Sequence, residues 1–191
     1  MARETESIDL TGKLLIAMPG MGDPRFDKSV VFICAHTPDG SMGLIVNKPA
    51  PGIRMDDLLE QVDIDPGSGS KGALVHFGGP VEHGRGFVLH STDYDGNDST
   101  LQVNPAFGMT ATLDILEDIS RGDGPNRRIL ALGYSGWGPG QIEAELRRNG
   151  WLTCDADPDV VFDKNDGRKW TGALNTLGID PLMLSAAGGS A

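Results

Sequence analysis

Four histidines, His36, His76, His83 and His90, are the side chains of this 191-residue chain best suited to proton transfer or metal ligation. Cys34 and His36 stand two apart in an apolar run, so on a strand they would share one face. Zinc needs three or four such ligands converging. The spacing here fits no local zinc pattern, and Gly78-Gly79-Pro80 breaks any helix that would align the remaining histidines. Histidines on strand faces or on the surface are therefore the preferred reading, with no metal and no cofactor expected. Gly133-Tyr134-Ser135-Gly136-Trp137 comes close to a nucleophile elbow, but that motif needs glycine where Trp137 stands. No catalytic residue is assigned on this basis. Gly67 to Gly72 carries Gly and Lys without the spacing of a phosphate cradle and reads as a loop. Gly138-Pro139-Gly140-Gln141 turns a strand into a helix. Its first N–H groups could meet an anion or polar ligand, or its glycines could simply allow close strand–helix packing. The acidic pairs Asp56-Asp57 and Glu117-Asp118 fall on polar helix faces, where solvated charge is the expected state.

The elements that must hold these residues are short. Apolar runs at Lys13–Met18, Val30–His36, Met42–Asn47, Ala73–Phe77, Gly86–Ser91, Thr100–Val103, Arg128–Tyr134, Trp151–Cys154 and Val160–Phe162 read as strands. Thr37 to Ser41, with Pro, Asp and Gly in turn positions, predicts a hairpin with a five-residue loop. Met55, Leu58, Leu59 and Val62 form one helical stripe. A second helix is expected over about 110–121, with Leu113, Leu116 and Ile119 inward and Gly122 past its end. A third spans about 139–149, with Pro139 in its first turn and a Glu143–Arg147 pair. A last one carries Trp170, Ala173, Leu174 and Leu177. Strands come in runs joined by short turns, which implies a mixed, mostly antiparallel sheet system flanked by about four helices: an α+β fold.

The length suits one domain, residues 1–191, with a core over about 10–182 and flexible tails at 1–9 and 185–191. Acidic residues outnumber basic ones 27 to 16, a net charge of −11 with no compensating Lys/Arg cluster, so direct nucleic-acid binding is not expected. The two cysteines, Cys34 and Cys154, make no disulfide framework and fit a reducing cytoplasm. The polar N-terminus does not read as a signal peptide, and no apolar run has the roughly 20 residues of a membrane span.

Four blocks in order, Gly43-Leu44-Ile45-Val46-Asn47-Lys48-Pro49, Gly78-Gly79-Pro80-Val81, Gly86-Phe87-Val88-Leu89-His90 and Leu132 to Gln141, resemble the YqgE/AlgH family of bacterial proteins. Leu15-Ile16-Ala17-Met18-Pro19 opens the pattern, and Trp170 with Leu177-Gly178 closes it, so the resemblance covers about residues 10–180. It implies an α+β protein whose strands form a flattened barrel with helices outside, and a biochemical role that is largely uncharacterised. Some members carry a transcriptional-regulator label, which the charge of this chain does not support as direct DNA binding. Two positions depart from the family pattern: Ser135 stands where Ala is usual, and Lys48 where Arg is frequent. Carried over residue by residue, the motifs make a candidate ligand-binding surface of His36, Asn47, Gly78, Gly79, Pro80, His90, Trp137, Gly138, Gly140 and Gln141. Such groups suit a small polar ligand or a protein partner better than bond-breaking chemistry. Equally, they could be keepers of the fold. The expectation is a non-enzymatic binding or adaptor protein, with any regulatory role indirect. The alternative is a hydrolase using His36 or His90 as base.

Overall fold

A computed structural model of the chain describes residues 9–19, 27–70, 73–94 and 100–183. The expected tails beyond these limits, Lys71 and Gly72 of the Gly/Ser loop, most of the polar turn before residue 100, and the side chain of His83 lie outside the described part.

Short β-branched runs punctuated by glycine favour strands over helices, and nine strands form among the described residues. They are β1 (Lys13–Ala17), β2 (Val30–Thr37), β3 (Gly40–Ile45), β4 (Val75–Phe77), β5 (Val81–His90), β6 (Thr100–Asn104), β7 (Phe107–Thr110), β8 (Arg128–Trp137) and β9 (Trp151–Asp155). Interleaved with them are α1 (Met55–Gln61), α2 (Leu113–Arg121), α3 (Gln141–Arg147), α4 (Pro158–Val161) and α5 (Lys169–Thr176). Two 3-10 turns, Ser68–Ser70 and Asp166–Arg168, complete the described elements. The strand order is β6-β7-β5-β8-β3-β2-β1-β9, with β4 joined to β8 off this path. All pairings are antiparallel except β4 with β8. The sheet curls into a half-barrel, bringing Phe107 of β7 within 4.7 Å, ring to ring, of Phe32 of β2. The concave side holds the largest apolar cluster, including Leu14, Phe32, Leu44, Leu89, Phe107 and Trp170. This is the expected α+β class.

Local departures have local causes. The first hairpin is tighter than a five-residue loop: Thr37 pairs Gly40, leaving only Pro38-Asp39 to turn. Residues Val160 and Val161 belong to α4 and not to a strand, because Asp157 caps Asp159 N at 2.9 Å and Pro158 occupies the first helical turn. Thr110 ends β7, so α2 begins later and buries Ile115 and Ile119 while Leu113 is exposed. Helix α3 starts after Pro139, and Glu143 pairs with His36 instead of Arg147.

Gly78 sits where β8 changes neighbour from β4 to β3. Its N–H donates to Leu132 O at 2.8 Å and its carbonyl accepts from Ile45 N at 2.9 Å. A Cβ there would stand 2.3 Å from Gly133 O, so only glycine permits this three-way junction. Asn47 ties the end of β3 to the start of β2, accepting from Val30 N at 2.9 Å and donating to Lys28 O at 2.8 Å.

His90 closes β5 inside the sheet and is fully buried. Its Nδ1–H donates to Ser91 O at 2.7 Å, so Nε2 is left to accept from the Thr110 hydroxyl at 2.8 Å. Thr110 Oγ1 lies 2.7 Å from Thr100 Oγ1, extending the chain across β6. Burial holds the imidazole below its ordinary value of 6.5, against the opposing effects of the Ser91 carbonyl and Asp93. The unfolded chain therefore takes up a proton near pH 6.5 that the folded chain refuses, and the stability His90 contributes above that value is lost as pH falls through the lower folded pKa. Urea unfolding between pH 7.5 and 5 should show a steeper loss of stability in the parent chain than in His90→Gln; equal slopes would contradict this assignment.

Candidate ligand-binding basin

The ten motif residues do not form one patch. Asn47 and Gly78 are tied into backbone junctions, and a Cβ on Gly79 would lie 2.1 Å from Tyr134 C, so Gly79 serves close strand approach. Pro80 follows it into β5. His90 is enclosed between β5, β7 and β6, with no carboxylate on either ring nitrogen. Ser135, considered as a nucleophile and set aside, is buried with its hydroxyl donating to Gly78 O at 3.3 Å.

The other five, His36, Trp137, Gly138, Gly140 and Gln141, meet where β8 turns into α3. Gly140, at φ +74°, makes the turn, and Gly138 N donates to Gln141 Oε1 at 2.9 Å. Glu145, which sequence reasoning passed over, is the centre of this corner. Its Oε1 accepts from Trp137 Nε1 at 3.0 Å and Trp151 Nε1 at 2.9 Å, and its Oε2 accepts from Gln141 Nε2 at 3.1 Å. The two indoles stand edge to face at 6.2 Å. Two residues earlier, Glu143 Oε2 lies 3.1 Å from His36 Nε2, while His36 Nδ1 lies 2.6 Å from Ser41 Oγ. The His36 side chain is only 5% exposed, covered by α3. Glu145 thus fastens the helix to the sheet with charge-assisted hydrogen bonds.

A second polar cluster was not anticipated. Lys169, at the start of α5, is 1% exposed and donates to Val46 O at 2.7 Å. A buried ammonium is tolerable only with a counter-charge, which Asp166 supplies from one turn earlier at 2.9 Å. His76 of β4 brings Nε2 within 3.0 Å of both Asp166 oxygens. Nε2 therefore carries the proton, and Nδ1 is buried without a hydrogen-bond partner among the described residues. Burial alone would raise the Asp166 carboxyl, but the hydrogen bonds and charges of His76 and Lys169 outweigh it and hold the group below its ordinary value. Burial pushes the Lys169 ammonium down, against the opposing pull of Asp166 and Asp163.

This cluster lines a basin of about 760 Å³. Its polar wall also includes Arg127, Arg128 and Lys164, and its apolar wall Met55, Leu74, Val88, Ile119, Leu130 and Phe162. None of the ten motif residues lines it. Among the described residues no group of three or more His, Cys, Asp or Glu is placed to hold a metal ion, and no helix is long and apolar enough to cross a membrane. The basin therefore offers fixed hydrogen-bonding groups beside an apolar surface, the ordinary makeup of a small-molecule site.

Comparison with known proteins places this architecture. A family model described as AlgH-like matches residues 14–182. A UPF0301 protein of Ruegeria pomeroyi is 63% identical over 185 residues, covering 96% of this chain and 100% of that protein. Another, from Rhodospirillum rubrum, is 50% identical over 182 residues, covering 95% of this chain and 94% of that one. The solution structure of the AlgH protein from Pseudomonas aeruginosa matches with a TM-score of 0.79 at 38% identity, covering 95% of each chain. A crystal structure of a protein from Corynebacterium diphtheriae matches at 0.75 with 17% identity, covering 94% of this chain and 93% of that one, a likeness of fold alone. With a model match over most of its length and relatives aligned nearly end to end, the chain belongs to the AlgH-like family.

Proposed function

We propose that the protein is a non-enzymatic binding protein of the cytoplasm that seats a small polar ligand in the basin beneath Lys169, Asp166 and His76, and acts on other processes through a protein partner. The basin itself carries this reading. Its volume of about 760 Å³ lies within the roughly 300–1,000 Å³ usual for ligand pockets. Lys169 and Asp166 are bonded to one another and to the fold, so they form a prearranged polar wall more readily than a nucleophile and its base. The net charge of −11 speaks against DNA as the partner. Two-dimensional amide NMR of the labelled chain titrated with mixtures of metabolites tests it. Shifts concentrated at His76, Arg127, Arg128, Lys164 and Asp166 are expected, whereas shifts only at the β8–α3 corner, or none with any mixture, would refute the basin as the site.

A second reading, hydrolysis, draws on one observation: Ser41 Oγ, His36 and Glu143 are linked at 2.6 and 3.1 Å. In that tautomer Nε2–H donates to Glu143 and Nδ1 can take the Ser41 proton, the connectivity of a nucleophile, base and orienting acid. Against it stands the covering of His36 by α3, which makes the same bonds a tether between hairpin and helix. Incubation with a fluorophosphonate probe decides: labelling of Ser41 that is lost in His36→Ala would favour the enzyme, and the binding reading expects no adduct.

A further inference from the structure

Resting on the basin as a ligand site, the charges around it say what kind of ligand it takes. Four cations line it, Arg127, Arg128, Lys164 and Lys169, and three carboxylates, Asp159, Asp163 and Asp166. Most are already matched. Arg127 pairs with Asp159 at 2.9 Å, Lys169 with Asp166 at 2.9 Å, and Asp163 with Arg168 at 3.0 Å. Arg128 and Lys164 have no carboxylate within ion-pair distance among the described residues. The charge left over is positive, within a chain whose net charge is −11.

Arg128 is the more informative of the two. Its guanidinium is part-buried and donates Nη1 to Pro125 O at 3.1 Å and Nη2 to Gly69 O at 2.7 Å. Two carbonyls, one from the loop before β8 and one from the 3-10 turn at Ser68–Ser70, thus fix the plane of the fork. A guanidinium has five N–H donors, so donors remain in a group whose orientation is already set. Carbonyl dipoles do not neutralise it, and burial pushes its pKa down with nothing opposing. A charge taken out of water without a counter-ion is unfavourable, and an anion seated beside it removes that penalty while gaining paired, charge-assisted hydrogen bonds. Lys164, at the exposed lip, adds attraction without fixed geometry. Beside these cations the basin is lined by Leu74, Val88, Leu130 and Phe162, which can cover an apolar body but offer it no hydrogen bond.

We infer that the basin is selective for small organic anions, a carboxylate or phosphate group held by Arg128 and steered by Lys164, with an apolar portion lying against Leu74, Leu130 and Phe162. The neutral polar ligands that a basin of this size would otherwise accept are disfavoured, because they leave the Arg128 charge unmatched.

Benzoate, phenyl phosphate and the neutral benzamide, titrated into the full-length chain and followed by amide NMR, separate the possibilities. Both anions should bind at the basin at least about tenfold more tightly than benzamide, the usual advantage of a charge-assisted pair over a neutral one. Raising salt should weaken the anions and leave benzamide unchanged. Arg128→Gln should remove most of that preference. Because Arg128 also bonds to two loops, the folding of this variant is checked by its amide spectrum, and Lys164→Gln at the exposed lip provides a second test, with a smaller loss confined to the anions. Equal affinity of benzoate and benzamide at the basin, or anion binding that neither substitution weakens, would overturn the selectivity while leaving a ligand site standing. Absence of shifts at the basin with all three probes, and with the metabolite mixtures, would remove the site itself.

Discussion

An ammonium group sealed at the junction of helix and sheet is the constraint on which the rest of this molecule depends. Lys169 enters the protein interior because Asp166, three residues earlier, travels with it and because Val46 O waits at the end of β3. Removing an ion from water costs several kcal/mol even after relaxation, so neither partner is stable there alone. Once the pair is inside, the next residue follows: Trp170 donates Nε1–H to Ala17 O at 2.9 Å, closing the end of β1. Helix α5 is thereby held against β1 and β2. His76 completes the arrangement by binding Asp166 from β4, which pairs parallel to β8, so that a strand of three residues gains a side-chain anchor. The same contacts form the polar wall of the basin, which makes structural necessity and ligand capacity two aspects of one network.

The β8–α3 corner solves a similar problem by another route. Glu145 is held by two indole N–H groups and a glutamine amide, all neutral donors, and it needs no buried cation. Trp137 and Trp151 come from different strands, so one carboxylate fixes β8, β9 and α3 together. Charge here acts as fastening, and the glycines around it permit the sharp exit from β8. The two clusters differ in what they leave unmatched: the corner satisfies its donors internally, while the basin is lined by two cations, Arg128 and Lys164, without a carboxylate at ion-pair distance among the described residues.

Much of the architecture was legible because its causes are local. Pro38-Asp39-Gly40 marks a turn wherever it stands, alternating apolar runs mark strands, and Gly122 at φ +87° ends α2 as a helix-terminating glycine should. The family resemblance came from ordered motifs, and those motifs turn out to include junction glycines such as Gly78 and Gly79, whose role is steric. What escaped notice depends on distant partners. Val160-Val161-Phe162 has strand-forming side chains, and only the Asp157-Pro158 start signal, present but unweighted, opposes that reading. Strand β4 lies parallel to β8, a pairing that no adjacent turn could signal. His76 and Asp166 are 90 residues apart, and a lysine beside an arginine, as in Arg168-Lys169, reads as surface until the fold encloses it. The candidate site shows the same division: the polar corner was visible as a motif, whereas the basin exists only because long-range packing assembles it.

The most direct test of the account is a double-mutant cycle on Asp166→Asn and Lys169→Met, with stability measured by urea unfolding. If the buried pair is the constraint described here, each single change should be strongly destabilising, and the double change should cost less than their sum by about 1–3 kcal/mol, the range of coupling for residues in direct contact. Additivity within roughly 0.5 kcal/mol, the behaviour of independent sites, would contradict it and would mean that α5 is held by its apolar packing and the Trp170 hydrogen bond and not by the buried pair.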